Sequence, residues 1–480
     1  MNFIKDNESP EDNKLSYELE LLEKFSSKRS EKEIIDSLDD IKNYITKKGK
    51  YSKIKKEILI KTATKLRKIV DKLWTKQVRI KFGEILKLIR FIEKISNVFD
   101  SFEENKECLN FKCFGEPYLS KIKFKDKIMK IASGHNHIIL FSNNGSIYSY
   151  GKNSFGQLGI GEGNNSENNF TQIKYVIEDG ETKKIGKVNF SDIICSGFAY
   201  NLLSINGKIY SFGAGENGRL GTGSEDNLFV PALINCDEMK KIVAGSTFTV
   251  ALSEENELYS CGDKKYNGHG FEEDLFEFKK MDYGGQLFID VSVGNGGYHT
   301  IALTLSGNVY TWGHNRVGQL GFDISDFEHD YENIEDYYYK LPKLINYLPP
   351  IVKINAGWGH SLLLSIENEL LGCGRIDEHQ FNFENYSINE RNHKYVSKFT
   401  FVNEFNKNIK NIECGGTHSA VITNDNKVYL WGDNDTKQLC EDNIEYSTKP
   451  ILFDTKLISQ DNITIKNVFL SSGNTFILYN

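Results

Sequence analysis

The 480-residue sequence is defined first by what it lacks. It has no apolar run of the roughly 18 residues that a membrane-spanning helix needs. Its opening, MNFIKDNESPEDNK, has no apolar core of the kind that marks a secretory signal. None of its 8 cysteines forms a C-x-x-C pair. The thiols are therefore expected as small core residues in a reducing compartment, cytoplasmic and/or nuclear, with no zinc site. There is no Gly-x-x-x-x-Gly-Lys-Ser/Thr phosphate loop, no His-Glu-x-x-His helix and no nucleophile elbow. No chemical active site and no cofactor cradle are visible. Proline is also scarce, 7 residues against 40 glycines, so the glycines ask for tight turns rather than for disorder.

Charge divides the chain. Residues 41–100 carry 18 Lys and Arg against 5 Asp and Glu, whereas residues 108–480 carry 34 against 46. Apolar stripes with helical spacing recur through residues 1–107, for example Ile54, Ile58, Leu66, Ile69 and Leu73, then Ile85, Leu88, Ile89, Ile92 and Ile95. The spacing predicts a charged, small α-helical bundle over 1–107. Its basic stretch, with Lys47-Lys48-Gly49-Lys50, is compatible with nucleic-acid phosphates, an acidic partner, a nuclear import address or a solvated face.

From residue 108 onward the chain repeats. A small residue, Gly, two residues and often His precede an apolar run: SGHNHIILF, SGFAYNLLS, AGSTFTVAL, GGYHTIAL, AGWGHSLLL, GGTHSAVIT and SGNTFILYN. The leading glycines are Gly134, Gly197, Gly245, Gly296, Gly357, Gly415 and Gly473. A strand ending in Gly follows each of the first six, as in IYSYG, VYTWG and VYLWG, 16 or 17 residues after the leading Gly. The seventh opening runs to the last residue without its second half, and FKCFG (Phe111–Gly115) supplies the missing form at the other end. Pairing the two would leave no open edge, the mark of a closed ring.

The residues after the second Gly, GKNSFGQLGIG, GAGENGRLGTG and GHNRVGQLGF, resemble the regulator-of-chromosome-condensation repeat. The resemblance covers about three-quarters of the chain, residues 108–480, and implies an all-β seven-bladed propeller closed by N- and C-terminal strands. GRIDEHQF and GDNDTKQLC have lost the final Gly of the loop, so those loops are expected to be re-aimed. The resemblance also allows guanine-nucleotide exchange on a Ran-like small GTPase. The Ran exchanger carries an acidic residue just before a repeat His, whereas here that position reads Asn136, Ala199, Thr247, Tyr298, Gly359, Thr417 and Thr475.

His137, His299, His360 and His418 share one repeat position, with Tyr200, Phe248 and Phe476 in the other units. The mixture reads as a repeated structural contact, not a metal-ligand set. Two excursions stand out. Asn164–Asp192 reads as a flexible loop. Gly321–Pro350 mixes Asp323, Asp326, Glu328, Asp330, Glu332, Glu335 and Asp336 with Phe327, Tyr331, Tyr337, Tyr338 and Tyr339. Acidic and aromatic side chains on a rigid scaffold suit a protein partner. The partner-binding candidates are Asp323, Asp326, Phe327, Glu328, Asp330, Tyr331, Glu332, Glu335, Asp336 and Tyr337. A third excursion, Arg375–Lys398, also reads as loop. The expected role is a protein-interaction scaffold, a regulatory or adaptor module, with exchange activity as the alternative.

Overall fold

The computed structural model describes residues 109–115, 124 and 126–480, except 163–165, 189–193, 305, 324–336, 382, 384, 390, 406 and 460–462. The helices expected over 1–107, with the basic stretch 41–100, lie outside the described residues.

The described strands form seven sheets arranged as blades. Each blade starts with an inner strand: Ile128–Ser133, Ile194–Ser196, Met239–Ala244, Phe288–Val293, Ile351–Ala356, Ile409–Cys414 and Ile465–Leu470. Consecutive inner strands touch from blade one through blade seven, which places them around the axis. Second and third strands follow outward, antiparallel, and a fourth forms the rim of blades one to six. In blade seven the third strand is Asn110–Gly115, paired from Asn110–Tyr479 to Gly115–Asn474. The two ends of the propeller thus share one sheet, and the ring closes without leaving Asn474–Tyr479 as an open edge.

Burial explains why these runs are strands. Second strands such as His299–Thr304 and His360–Ser365 are buried at every residue, because a blade is covered on both faces by its neighbours. Trp312 and Trp431 fill the spaces between blades and are fully buried. The glycine ending each third strand has φ between 97° and 128° and lies where the register to the fourth strand shifts in blades one to six. A Cβ on Gly313 would stand 2.3 Å from the Tyr298 carbonyl oxygen, so only glycine fits there. Inner-strand edges are tied blade to blade by side chains. Ser292 Oγ accepts the Ala356 N–H at 3.0 Å, and Asn355 Oδ1 accepts the Cys414 N–H at 3.1 Å.

Several expectations need correction. Asn164–Asp192 is not a bare loop: it holds the outer strand Ser166–Ile173 of blade one and a hairpin, Tyr175–Glu178 with Glu181–Lys184. The hairpin extends blade two to six strands, anchored by Val176 and Val188 packed among Leu203, Ile205 and Phe212. In Arg375–Lys398 the last five residues begin the outer strand Lys394–Val402. In Gly321–Pro350, Tyr338 and Tyr339 belong to the outer strand Tyr338–Leu344. The loop of blade six is not re-aimed. Cys440 takes φ 65° in place of the lost Gly, and Leu439 N–H still donates to Asn434 Oδ1 at 2.8 Å, as Leu320 does to Asn315 at 3.0 Å in blade four.

The repeat register also shifts in two blades. In blade seven Asn474, not Phe476, pairs with the closing Gly, as His418 pairs with Gly432 in blade six. Gly473 therefore takes the place before the repeat His, where Thr475 was expected, and Ser471 leads that unit. In blade four, Val293 pairs with Thr300 as Ala356 pairs with Ser361, so the leading residue is Gly294 and Asn295–Gly296 is a two-residue insertion.

Candidate interaction face

In each hairpin the chain leaves the inner strand and the third strand at the same end, so their loops share one face of the ring. One backbone bond repeats this geometry in six blades. The residue after each third-strand glycine (Lys152, Ala214, Asp263, His314, Arg375, Asp433) donates its N–H to the loop that follows its own inner strand. The acceptors are the carbonyls of Asn136, Ala199, Thr247, Tyr298, Gly359 and Thr417, at 2.8 to 3.2 Å. The GQLG-type turns are held by internal hydrogen bonds. In GQLG-type loops an Asn side chain holds the Leu N–H, and Gln157 and Gln319 accept backbone N–H groups at Phe155 and Val317.

This face is acidic. The described residues of loops 152–165, 214–227, 263–274, 314–337, 375–393 and 433–445 carry 16 Asp and Glu against 8 Lys and Arg. Some cations are already committed. Arg219 is buried, donating to the Glu216 and Ser246 carbonyls and to the Glu216 carboxylate. Arg375 grips Asp377 at 2.6 Å and Glu378 at 2.6 Å, and His393 Nδ1 lies 2.8 Å from Asp377. Burial would raise the Asp377 carboxyl, but hydrogen bonds from Arg375 and His393 hold it below the usual carboxylate range. Burial dominates at Glu378 and raises it.

The excursion of blade four leaves from and returns to this face. Asp323 accepts from Ser397 Oγ at 3.3 Å, on the outer strand of blade five. At the other end the Tyr337 carbonyl accepts the Asn315 N–H at 2.7 Å, and the Arg316 guanidinium lies 5.2 Å from the Tyr337 ring centre. Asp326, Phe327, Glu328, Asp330, Tyr331, Glu332, Glu335 and Asp336 lie outside the described residues.

At the centre of the face stands a cap that the repeat count did not reveal. The Asn295–Gly296 insertion reaches across the axis: Asn295 Nδ2 donates to the Ser133 carbonyl of blade one, and its own carbonyl accepts from Trp358 Nε1 of blade five. His135 stacks on Phe198 at 4.6 Å between ring centres and lies 6.1 Å from Trp358. The sequence signal for this cap is GNGGYH, two residues longer than GWGH or GGTH.

The four histidines do not converge. Each sits in its own blade and its Nε2 meets a side chain of the next: Asn201 at 2.8 Å, Ser361 at 2.9 Å, Ser419 at 2.9 Å and Thr475 at 3.1 Å. Burial lowers their pKa values to about 4 for His137 and about 3 for the other three, so they are neutral near pH 7. Among the described residues no group of three or more His, Cys, Asp or Glu is placed to hold a metal ion. No helix among them is long and apolar enough to cross a membrane.

A closed seven-bladed ring with Gly-x-x-His openings and GQLG-type loops defines a repeat propeller. Its family follows from the comparisons: the chain belongs to the regulator of chromosome condensation (RCC1) repeat family, whose repeat models match residues 128–157, 206–270, 288–364 and 409–438. The chain is similar to the ultraviolet-B receptor UVR8 of Arabidopsis thaliana, 28% identical over 322 residues, covering 65% of this chain and 67% of that protein. It is similar to protein pim1 of Schizosaccharomyces pombe, 26% identical over 374 residues, covering 73% of this chain and 67% of that protein. Among solved structures, Prp20p from Saccharomyces cerevisiae shares the fold with a TM-score of 0.61 at 18% identity, covering 79% of this chain and 94% of that one.

Proposed function

We propose that this protein is an interaction scaffold, a regulatory or adaptor module whose acidic loop face receives a protein partner with a basic surface. The observation that carries the reading is the concentration of 16 acidic against 8 basic side chains, among the described residues, in loops that share one face of a closed ring. Complementary charge of this kind speeds encounter and fixes orientation. The stiff blades present the loops with little ordering cost. The excursion from Asp323 to Tyr337, with aromatic residues between carboxylates, is the segment that gives specificity. Replacing residues 324–336 by a short Gly-Ser linker tests it through the proteins recovered with the tagged chain. Loss of the main partner is expected, and an unchanged set of partners would sink the reading.

The second reading is guanine-nucleotide exchange on a Ran-like GTPase. Its support is the family together with the solved Prp20p structure, whose report concerns that protein's binding to Gsp1p and histones. The residue before the slot at the start of each second strand is never acidic here: Asn136, Ala199, Thr247, Tyr298, Gly359, Thr417 and Gly473. This departs from the Ran exchanger and favours the scaffold. Mixing the protein with small GTPases loaded with labelled GDP separates the two. Release no faster than in buffer across Ran, Rab and Rho types removes the exchange reading.

A further inference from the structure

The hairpin added to blade two has an outer strand with nothing beyond it among the described residues. It begins where blade one ends, turns through Asp179 and Gly180 at φ 52° and 77°, and meets the rim strand Leu228–Leu233 at the parallel pair Ile177–Ala232. Its inner side is firmly held. Glu178 accepts from Tyr210 Oη, from Lys183 Nζ at 3.0 Å and from Lys208 Nζ at 3.1 Å. Val176 is buried against blade two. By contrast, Glu181, Thr182, Lys183 and Lys184 are all exposed.

The hydrogen-bond alternation of an antiparallel pair says which backbone groups are left over. The two-residue turn makes Glu178–Glu181 a bonded pair, so Val176–Lys183 is the next. The Ile185 N–H donating to the Lys174 carbonyl at 2.8 Å continues the series. Thr182 and Lys184 fall between, and their N–H and C=O groups point away from the sheet. Lys174, Lys183, Lys184, Lys187 and Lys208 cluster on this hairpin and the adjoining turn of blade two, against Glu178, Asp179 and Glu181. The same propeller carries 34 Lys and Arg against 46 Asp and Glu overall. Lys174, Lys184 and Lys187 are exposed and make no ion pair among the described residues.

We propose that the Glu181–Lys184 edge is a docking site for an extended acidic segment of a protein partner, which adds to the sheet as a seventh strand. Lysines on a sheet edge repel neutral or basic strands and so prevent indiscriminate pairing. An acidic strand reverses that sign and gains backbone bonds to Thr182 and Lys184. Tyr175 stands across from Lys184 and is half exposed, offering apolar contact between the charges. The site lies on the rim, apart from the loop face, and its charge is opposite, so one ring can hold two unlike partners.

The test uses the full chain and a fluorescein-labelled octapeptide alternating Glu and Val, with its Lys–Val counterpart as control. The Glu peptide is expected to bind, to weaken as salt rises, and to slow amide exchange at Thr182 and Lys184. Thr182→Pro removes one outward N–H without touching the bonds inside the hairpin. It should weaken binding about tenfold while leaving the melting temperature of the propeller unchanged. Lys184→Glu with Lys187→Glu should abolish the preference for the acidic peptide. If Thr182→Pro binds as the natural protein does, the attraction is charge alone and strand addition is wrong. Equal binding of the Glu and Lys peptides overturns the proposal entirely.

Discussion

Blades three and four treat the same inter-blade position in opposite ways. In blade four His299 starts the second strand and meets Ser361 Oγ of the next blade at 2.9 Å, and that hydroxyl donates onward to the Gln319 carbonyl at 2.7 Å. In blade three the position holds Phe248, fully buried, and the Thr300 Oγ1 of the next blade is left without a hydrogen-bond partner. The remaining blades fill in the pattern. Tyr200 of blade two reaches Thr249 Oγ1 at 3.0 Å. Asn474 of blade seven faces blade one, where the matching position is the apolar Ile138. The difference teaches that the repeat does not demand histidine. It demands a side chain that fills the slot, and a polar one finds its partner either in the next blade, as the histidines and Tyr200 do, or in its own, as Asn474 does by donating to Ser471 Oγ at 3.4 Å.

This pairwise logic assumes a closed ring, and opening the ring should have the largest effect. Deleting Ile463–Asn480 removes the inner and second strands of blade seven and leaves Asn110–Gly115 without a sheet. It also strips the buried Val468, Phe476 and Ile477 and takes Thr475 from His418. A loss of several kcal/mol is expected, comparable with the whole stability of many domains. The melting temperature should collapse. An unshifted melt would show that the blades do not depend on closure.

The ring was legible in the sequence because its constraints are local and severe. The strand-ending glycines such as Gly313 and Gly432 admit no Cβ, so they mark every unit. The closing pair could be anticipated from FKCFG at one end and SGNTFILYN at the other, but the register was set two residues out. Asn474 is not a histidine, and Gly473 imitated a leading glycine. The hairpin after Ile173 was hidden by its charge. Glu, Lys and Asn suggested a loop, although Asp179-Gly180 between short alternating runs is a strong hairpin signal. The axial cap could not be read at all from composition. Asn295 and Ser133 lie 162 positions apart, and only the ring brings them together across the axis. The candidate acids from Asp323 onward were legible as a cluster, but a cluster has no geometry until the scaffold places its ends.

Acid sharpens the comparison next. The four slot histidines are neutral when folded, with pKa values of about 3 to 4, whereas the unfolded chain takes up their protons near pH 6.5. Their contribution is therefore complete above pH 6.5 and is lost as pH falls toward the folded values. At pH 5 each site should cost about 2 kcal/mol. Glu413 works the other way. Desolvation among the inner strands outweighs its bonds from Asn355 and Asn411 and raises it to about 7, so its share fades as pH rises from 4.5 through 7. Thermal melts from pH 8 to pH 4 should show a steep acid limb. Changing His360 to Tyr, the residue blade two uses, should remove one histidine's share of that limb, whereas the Phe248 slot has no share to remove. An acid limb unchanged by His360→Tyr would mean that this histidine is not buried neutral.

The smallest effect separates blades three and four most sharply, because it predicts opposite signs for similar substitutions. Ser361→Ala leaves His299 Nε2 buried and unpaired, and should destabilise by about 1 to 3 kcal/mol. Thr300→Val, one blade earlier, exchanges an unpartnered buried hydroxyl for a methyl group of the same shape. It removes a desolvation cost and no hydrogen bond, so it should stabilise by about 1 kcal/mol. Denaturant midpoints of the two variants, read at pH 7 where the histidines are neutral, measure both on one scale. If Thr300→Val destabilises as Ser361→Ala does, the hydroxyl beneath Phe248 has a partner after all. Thr300 would then be held by a group other than the slot residue, and an apolar slot would not leave its neighbour's hydroxyl unpaired.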